Sequence, residues 1–167
     1  MKYGTIIRIG NIAEADEKFK SLKDCGFTAC QLVYKPKEYK KEDADIIRAS
    51  ADKYSIDISA QFCGYYDNNM IWDIYYGYNT AGINVDAYSG QRVEYVKSAI
   101  EFASWIGTED AIIHAGFIPN NPFAHEYSLM LTNVEMLAAK CASLNMNLLF
   151  ETGGESPITL LRLIEDI

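Results

Sequence analysis

The sequence predicts an α/β fold, a parallel sheet whose strands alternate with helices in one domain spanning residues 1–167. Three observations carry that expectation. Strand-like and helix-like segments follow one another five times, and no hairpin signal joins one strand to the next. Strands that run the same way need crossovers between them, and those crossovers are right-handed. The last strand, within N-L-L-F-E-T-G-G-E from Asn147 to Glu155, ends on a carboxylate and passes through glycines into a capped helix, half of a βαβ unit.

The first strand is the apolar, β-branched run Gly4 to Ile9. Ala15, Phe19 and Leu22 then recur at helical spacing on a segment that closes at Gly26. Ala29 to Tyr34 is the second strand. After a lysine-rich loop, Ala44, Ile47, Ala51 and Tyr54 form one face of a helix, and Ile58 to Cys63 is the third strand. Ser89 is read as the cap of a long helix carrying Val96, Ala99, Ile100, Ala103 and Ile106, which stops at Gly107. Ala111 to His114 is the fourth strand. A helix with Leu131, Val134, Ala138 and Cys141 leads to the fifth, where Leu148, Leu149 and Phe150 read as covered on both faces. Gly153 and Gly154 let the chain turn, Ser156 suits the N-cap and Pro157 the first helical position. One connection breaks the rhythm. Between Gly64 and Ser89 there is no helical period, but Tyr65, Tyr66, Trp72, Tyr75, Tyr76, Tyr78 and Tyr88 crowd the loop. A loop of that length is usually functional or disordered, and its aromatic content argues against disorder.

A formal net charge of −8 argues against non-specific binding to nucleic acid or an anionic membrane. The apolar part of M-K-Y-G-T-I-I-R-I-G is too short for a signal peptide, Arg8 interrupts it, and no other run reaches membrane-spanning length. Cys25, Cys30, Cys63 and Cys141 lack C-x-x-C spacing, which suits reduced core thiols in the cytoplasm.

In parallel α/β folds the C-terminal strand tips carry ligands and catalysis. Glu151, at the tip of the fifth strand, is therefore the first candidate, and His114, at the tip of the fourth, the second. Gln61 and Cys63 close the third strand and Gln31 lies in the second, yet alternation forbids adjacent residues from pointing the same way. Cys63 is assigned to packing. Arg8 and Asn11 end the first strand and can meet a polar substrate or lie in an exposed loop. Glu155 can bond a substrate hydroxyl or interact with the following helix N-terminus. His125 falls near a helix start and is set aside.

Several stretches resemble the sugar phosphate isomerase/epimerase family, the xylose isomerase-like TIM barrels. They are G-F-T-A-C-Q-L at the second strand, A-I-I-H-A-G-F at the fourth, and L-L-F-E-T-G-G-E-S-P-I-T-L-L-R-L-I-E-D at the fifth strand and its helix. The helix R-V-E-Y-V-K-S-A-I-E-F-A-S-W-I-G also looks like the family's third. The resemblance implies the (β/α) units of a TIM barrel, truncated after the fifth strand and helix, because a complete barrel takes roughly 250 residues. It implies a divalent metal ion (Mn, Mg, Co or Zn) held by a glutamate that ends strand five and by an acid, a histidine and a glutamate from strands six to eight. Glu151 matches the first; the other three fall outside this sequence.

The implied activity is isomerisation or epimerisation of a small sugar or sugar phosphate, with Glu151 as metal ligand and general base and His114 as a catalytic and substrate-binding group. Glu155 and Gln61 are the further substrate contacts. Two rivals are an apurinic endonuclease resembling endonuclease IV and a non-catalytic sugar-binding or interaction protein. The tyrosine-rich loop is expected to border the barrel mouth, either stacking on sugar rings or packing at an interface. Ile7, Leu149 and the Ile112/Ile113 pair are expected on the inner face. Left without further strands, that surface predicts association into a homo-oligomer.

Overall fold

The computed structural model describes residues 1–66, 80–151 and 153–167. Its strands are β1 (Gly4–Ile9), β2 (Ala29–Tyr34), β3 (Asp57–Phe62), β4 (Asp110–Ile113) and β5 (Asn147–Phe150). Its helices are α1 (Ala15–Asp24), α2 (Lys41–Tyr54), α3 (Ser89–Ile106), α4 (His125–Ser143) and α5 (Pro157–Asp166). The sheet runs β1-β2-β3-β4-β5 with every pairing parallel. Neighbouring strands that are also consecutive in sequence, each followed by a helix, form the βα units of a TIM barrel.

Local chemistry sets some element ends. Gly107 closes α3 at φ +81°, donating its N–H to Ala103 and Ser104, a left-handed cap that costs glycine no side-chain clash. Ser156 caps α5, its hydroxyl accepting from the Thr159 N–H at 3.2 Å, with Pro157 in the first turn. The expected cap at Ser89 is displaced by one residue. Tyr88 occupies the N-cap without a side-chain capping bond to the helix end, and the buried Ser89 hydroxyl instead accepts from the Asn133 amide of α4 at 2.8 Å. A tertiary partner took the hydroxyl from the helix end.

The two faces of the sheet have different fates. On the helix side, Ile7, Ile9, Leu32 and Ile58 pack with Phe19, Ala44 and Ile47 in one cluster. Ala111 and Ile113 pack with Val96, Ile100, Val134 and Leu137 in another. The inner side is more open, with Ile6 51% and Leu149 39% exposed. Two sequence expectations are therefore corrected. Ile7 and Ile113 face the helices and are buried, and Ile6 and Ile112 take the alternate positions. Strand β5 is covered on one face only: Leu148 and Phe150 pack against the helix-side cluster, while Leu149 does not.

A bulge decides what the third strand presents. Cys30 pairs with Ile58 but Gln31 pairs with Ala60, so Ser59 is an extra residue, its hydroxyl bonded to the Cys30 carbonyl at 3.0 Å. One inserted residue exchanges the faces of every side chain after it. Gln61 consequently aligns with Leu32 and Ala111, two helix-side residues.

Candidate active site

The site is built where β4 and β5 end. Their register, Ile112 with Leu149 and Ile113 with Phe150, continues one step further, because the Glu151 N–H donates to the Ile113 carbonyl at 2.8 Å. That step sets His114 beside Glu151. Both fall on the inner face, since Ile112 and Leu149 do and side chains alternate. Glu151 is exposed and His114 half-buried.

His114 is oriented by the backbone. Its Nδ1 accepts from the Gly116 N–H at 3.1 Å, so the neutral ring carries its proton on Nε2. Nε2 faces the turn after β5, where a Cβ placed on Gly153 would come within 2.7 Å of it and within 3.1 Å of a Glu155 oxygen. Only glycine fits there without moving the imidazole. The Gly153 N–H donates to the other Glu155 oxygen at 2.9 Å, which fixes the half-buried carboxylate beside the turn. His114, Glu151 and Glu155 are thus brought to one strand-tip cluster.

The histidine loop is anchored by a second crossing. Gly82 and Gly116 form an antiparallel bridge at φ +94° and +97°. A Cβ on Gly82 would lie 2.2 Å from the Ala115 carbonyl oxygen, and one on Gly116 would lie 2.6 Å from that of Ala81. The buried Arg92 holds the same crossing from α3, donating to the Gly82 carbonyl at 2.8 Å and the Thr80 carbonyl at 3.1 Å. Its guanidinium lies 4.2 Å from the centre of the Tyr65 ring, whose hydroxyl accepts from the Gly82 N–H at 2.6 Å. Sequence reasoning missed Arg92, Gly82 and Gly116. A signal existed for Arg92, a charge in helical register with Val96, Ala99 and Ala103.

Gln61 is elsewhere. It is fully buried on the helix side, its amide donating to the Tyr34 and Phe62 carbonyls, each at 3.1 Å, and its Oε1 has no hydrogen-bond partner. Asn11 uses its side chain to accept from the Ala13 N–H in a 3-10 turn, Ile12–Glu14. Cys63 is buried among helix-side residues, and burial pushes its thiol well above the usual range. All four cysteines are free; Cys30 and Cys141 are also buried, but Cys25 is exposed and is no core thiol. Trp72, Tyr75, Tyr76 and Tyr78 lie outside the described residues. A cavity of about 680 Å³ opens between the loops after β3 and β4, lined by Asn84, Tyr88, Phe117 and Asn120 among others, and none of the cluster residues lines it.

Among the described residues no three His, Cys, Asp or Glu side chains converge as a metal site requires. Glu151 can supply one carboxylate. No described helix is long and apolar enough to cross a membrane.

The family model of the xylose isomerase-like TIM barrel matches residues 19–167. The chain belongs to that family. No curated protein matches the sequence. Among solved structures, a xylose isomerase domain protein from Planctomyces limnophilus is 25% identical with a TM-score of 0.86, over 99% of this chain and 59% of that one. A D-allulose 3-epimerase from Methylomonas sp., in complex with D-allulose, is 11% identical with a TM-score of 0.69, over 99% of this chain and 58% of that one. A xylose isomerase-like TIM-barrel protein from Mycobacterium smegmatis, in complex with magnesium, is 10% identical with a TM-score of 0.68, over 99% and 60%. An AP endonuclease of family 2 from Brucella melitensis is 13% identical with a TM-score of 0.59, over 90% and 55%. The last three likenesses show the fold alone. This family member spans about 60% of the length of the solved structures it matches.

Proposed function

We propose that this chain carries the first half of the active site of a metal-dependent isomerase or epimerase acting on a sugar or sugar phosphate. The observation that carries the reading is the placement of His114 and Glu151 side by side on the inner face at the tips of β4 and β5. Glu151 is the base. Its carboxylate takes the proton from the carbon beside the substrate carbonyl, and the electron pair of that C–H bond moves onto the carbonyl oxygen. The Nε2–H of His114 hydrogen-bonds to that oxygen as charge builds there. Glu155, held by the Gly153 N–H, accepts from a sugar hydroxyl. Glu151 would hold a divalent ion together with ligands outside these residues, and that ion, when bound, would supply acidification of the same C–H bond.

Gln61 takes a positioning role in this reading, tying the end of β2 to β3 from the buried side. The buried, free thiols favour a reducing, cytoplasmic setting. The endonuclease alternative has less support, because a net charge of −8 suits a phosphate backbone poorly. Solvent-deuterium exchange into the sugar, followed by NMR on the whole protein with its metal, tests the proposal. Glu151→Gln should slow exchange by about 100-fold or more while leaving the melting temperature in place. Exchange at the wild-type rate refutes the assignment of Glu151.

A further inference from the structure

Two cations at the far side of the same face are used by nothing described so far. Arg8, near the tip of β1, is in register with Val33 of β2. Lys35 follows Val33 by two residues, so Arg8 and Lys35 share the inner face at the C-terminal tips of neighbouring strands. Contacts with the next strand agree. A Cβ placed on Gly64, two residues past the end of β3, would lie 2.7 Å from Lys35 Cδ, 3.4 Å from its Nζ and 3.0 Å from the Phe62 ring. The lysine stem therefore runs over a glycine that leaves it room, beside an inner-face aromatic.

Neither cation is neutralised. The side chains of Arg8 and Lys35 make no hydrogen bond or ion pair among the described residues. Burial first and the Arg8 guanidinium second hold the Lys35 ammonium below its ordinary range. Two like charges, one of them half-buried, oppose each other unless an anion sits between them. A guanidinium and an ammonium at one strand-tip corner suit an oxyanion with several acceptor oxygens. A nucleic-acid backbone would call for a longer basic track than two residues in a chain of net charge −8.

We infer that Arg8 and Lys35 form a subsite for an anionic group, a phosphate ester or a carboxylate, on the end of the substrate remote from its reacting carbonyl. The inference rests on the sugar reading above and sharpens its substrate class. The substrate lies across the mouth, its anion at β1–β2 and its carbonyl at β4–β5.

Binding without turnover tests it. Calorimetric titrations of the whole protein with a neutral ketohexose, the same ketohexose 6-phosphate and a hexuronate compare the three charge types, with inorganic phosphate as a minimal probe. The phosphorylated sugar, the uronate or both should bind about 10-fold or more tightly than the neutral sugar, and which of the two does so identifies the anion. Arg8→Gln, a change at an exposed side chain, should remove that preference and leave neutral-sugar affinity unchanged. Lys35→Met keeps the stem over Gly64 and should do the same. Equal affinity for charged and neutral sugars, or an unchanged preference in both variants, overturns the subsite. The two readings fail separately. Proton exchange that is lost in Glu151→Gln, with the preference for charged over neutral sugars absent or unchanged in Arg8→Gln and Lys35→Met, leaves the isomerase standing without the subsite. Arg8-dependent anion binding with no proton exchange leaves the subsite without the isomerase.

Discussion

The two faces of one sheet are put to different uses. On the helix side, successive strands contribute Ile7, Leu32, Ile58, Ala111 and Ile113 to two apolar clusters sealed by the helices. On the inner side β1, β2, β4 and β5, with the residues that directly follow the last two, contribute Ile6, Arg8, Gln31, Ile112, His114, Leu149 and Glu151, of which several reach solvent. Since side chains alternate with a period of two, neighbouring residues can serve opposite purposes without compromise. The helix side carries the packed core, and the inner side at the strand tips carries the polar residues of the proposed site. The difference teaches that a residue's face matters more than its nearness to a strand tip: Gln61 and His114 both lie close to tips, but only His114 is on the inner face.

The comparison breaks most visibly under truncation. Leu32→Ala, at a fully buried helix-side position, should cost about 2–5 kcal/mol of stability, read by chemical denaturation. Leu149→Ala, at a 39% exposed inner position, should cost about 1 kcal/mol or less. Equal losses would mean that the inner face is packed as tightly as the outer one.

Next in size is the crossing that supports the histidine loop. Gly82→Ala adds a Cβ into the Ala115 carbonyl at a positive φ, and should destabilise by about 2–3 kcal/mol. It should also disturb the His114 imidazole, visible as a changed side-chain nitrogen shift. An unperturbed His114 would separate the loop from the site.

The helix side also predicts the response to alkali. Burial raises the phenols of Tyr34 and Tyr39 and pushes Tyr95 from 10.0 up to about 12. A group whose folded pKa lies above its unfolded value contributes stability that is fully present below the unfolded pKa and lost as pH rises through the folded one. Stability should therefore decline from about pH 10 towards pH 12, and Tyr95→Phe should soften that decline. A flat profile across this window would contradict the burial of the three rings.

Much of the helix side was legible in advance. Ala15, Phe19 and Leu22, or Ala44, Ile47 and Ala51, declare a buried face by spacing alone, and β1 and β2 begin and end at the residues their composition suggests. Glu151 and His114 were legible as polar residues directly after apolar runs. What escaped depends on contacts distant in sequence. The bulge at Ser59 arises from pairing with β2, so nothing local reveals that Gln61 changes face. Ser89 reads as a cap until Asn133 takes its hydroxyl. Gly82 and Gly116 are unremarkable until their backbones cross.

The smallest effects locate the site most directly. In the whole protein, a ketose titrated against isotope-labelled backbone and histidine side chains should shift the His114 ring, the Glu151 amide and the Gly153 amide together. The buried Gln61 amide, and Asn84, Tyr88 and Asn120 around the 680 Å³ cavity, should stay in place. Saturable shifts centred on the cavity, with His114 and Glu151 unmoved, would contradict the placement of the active site on the inner face.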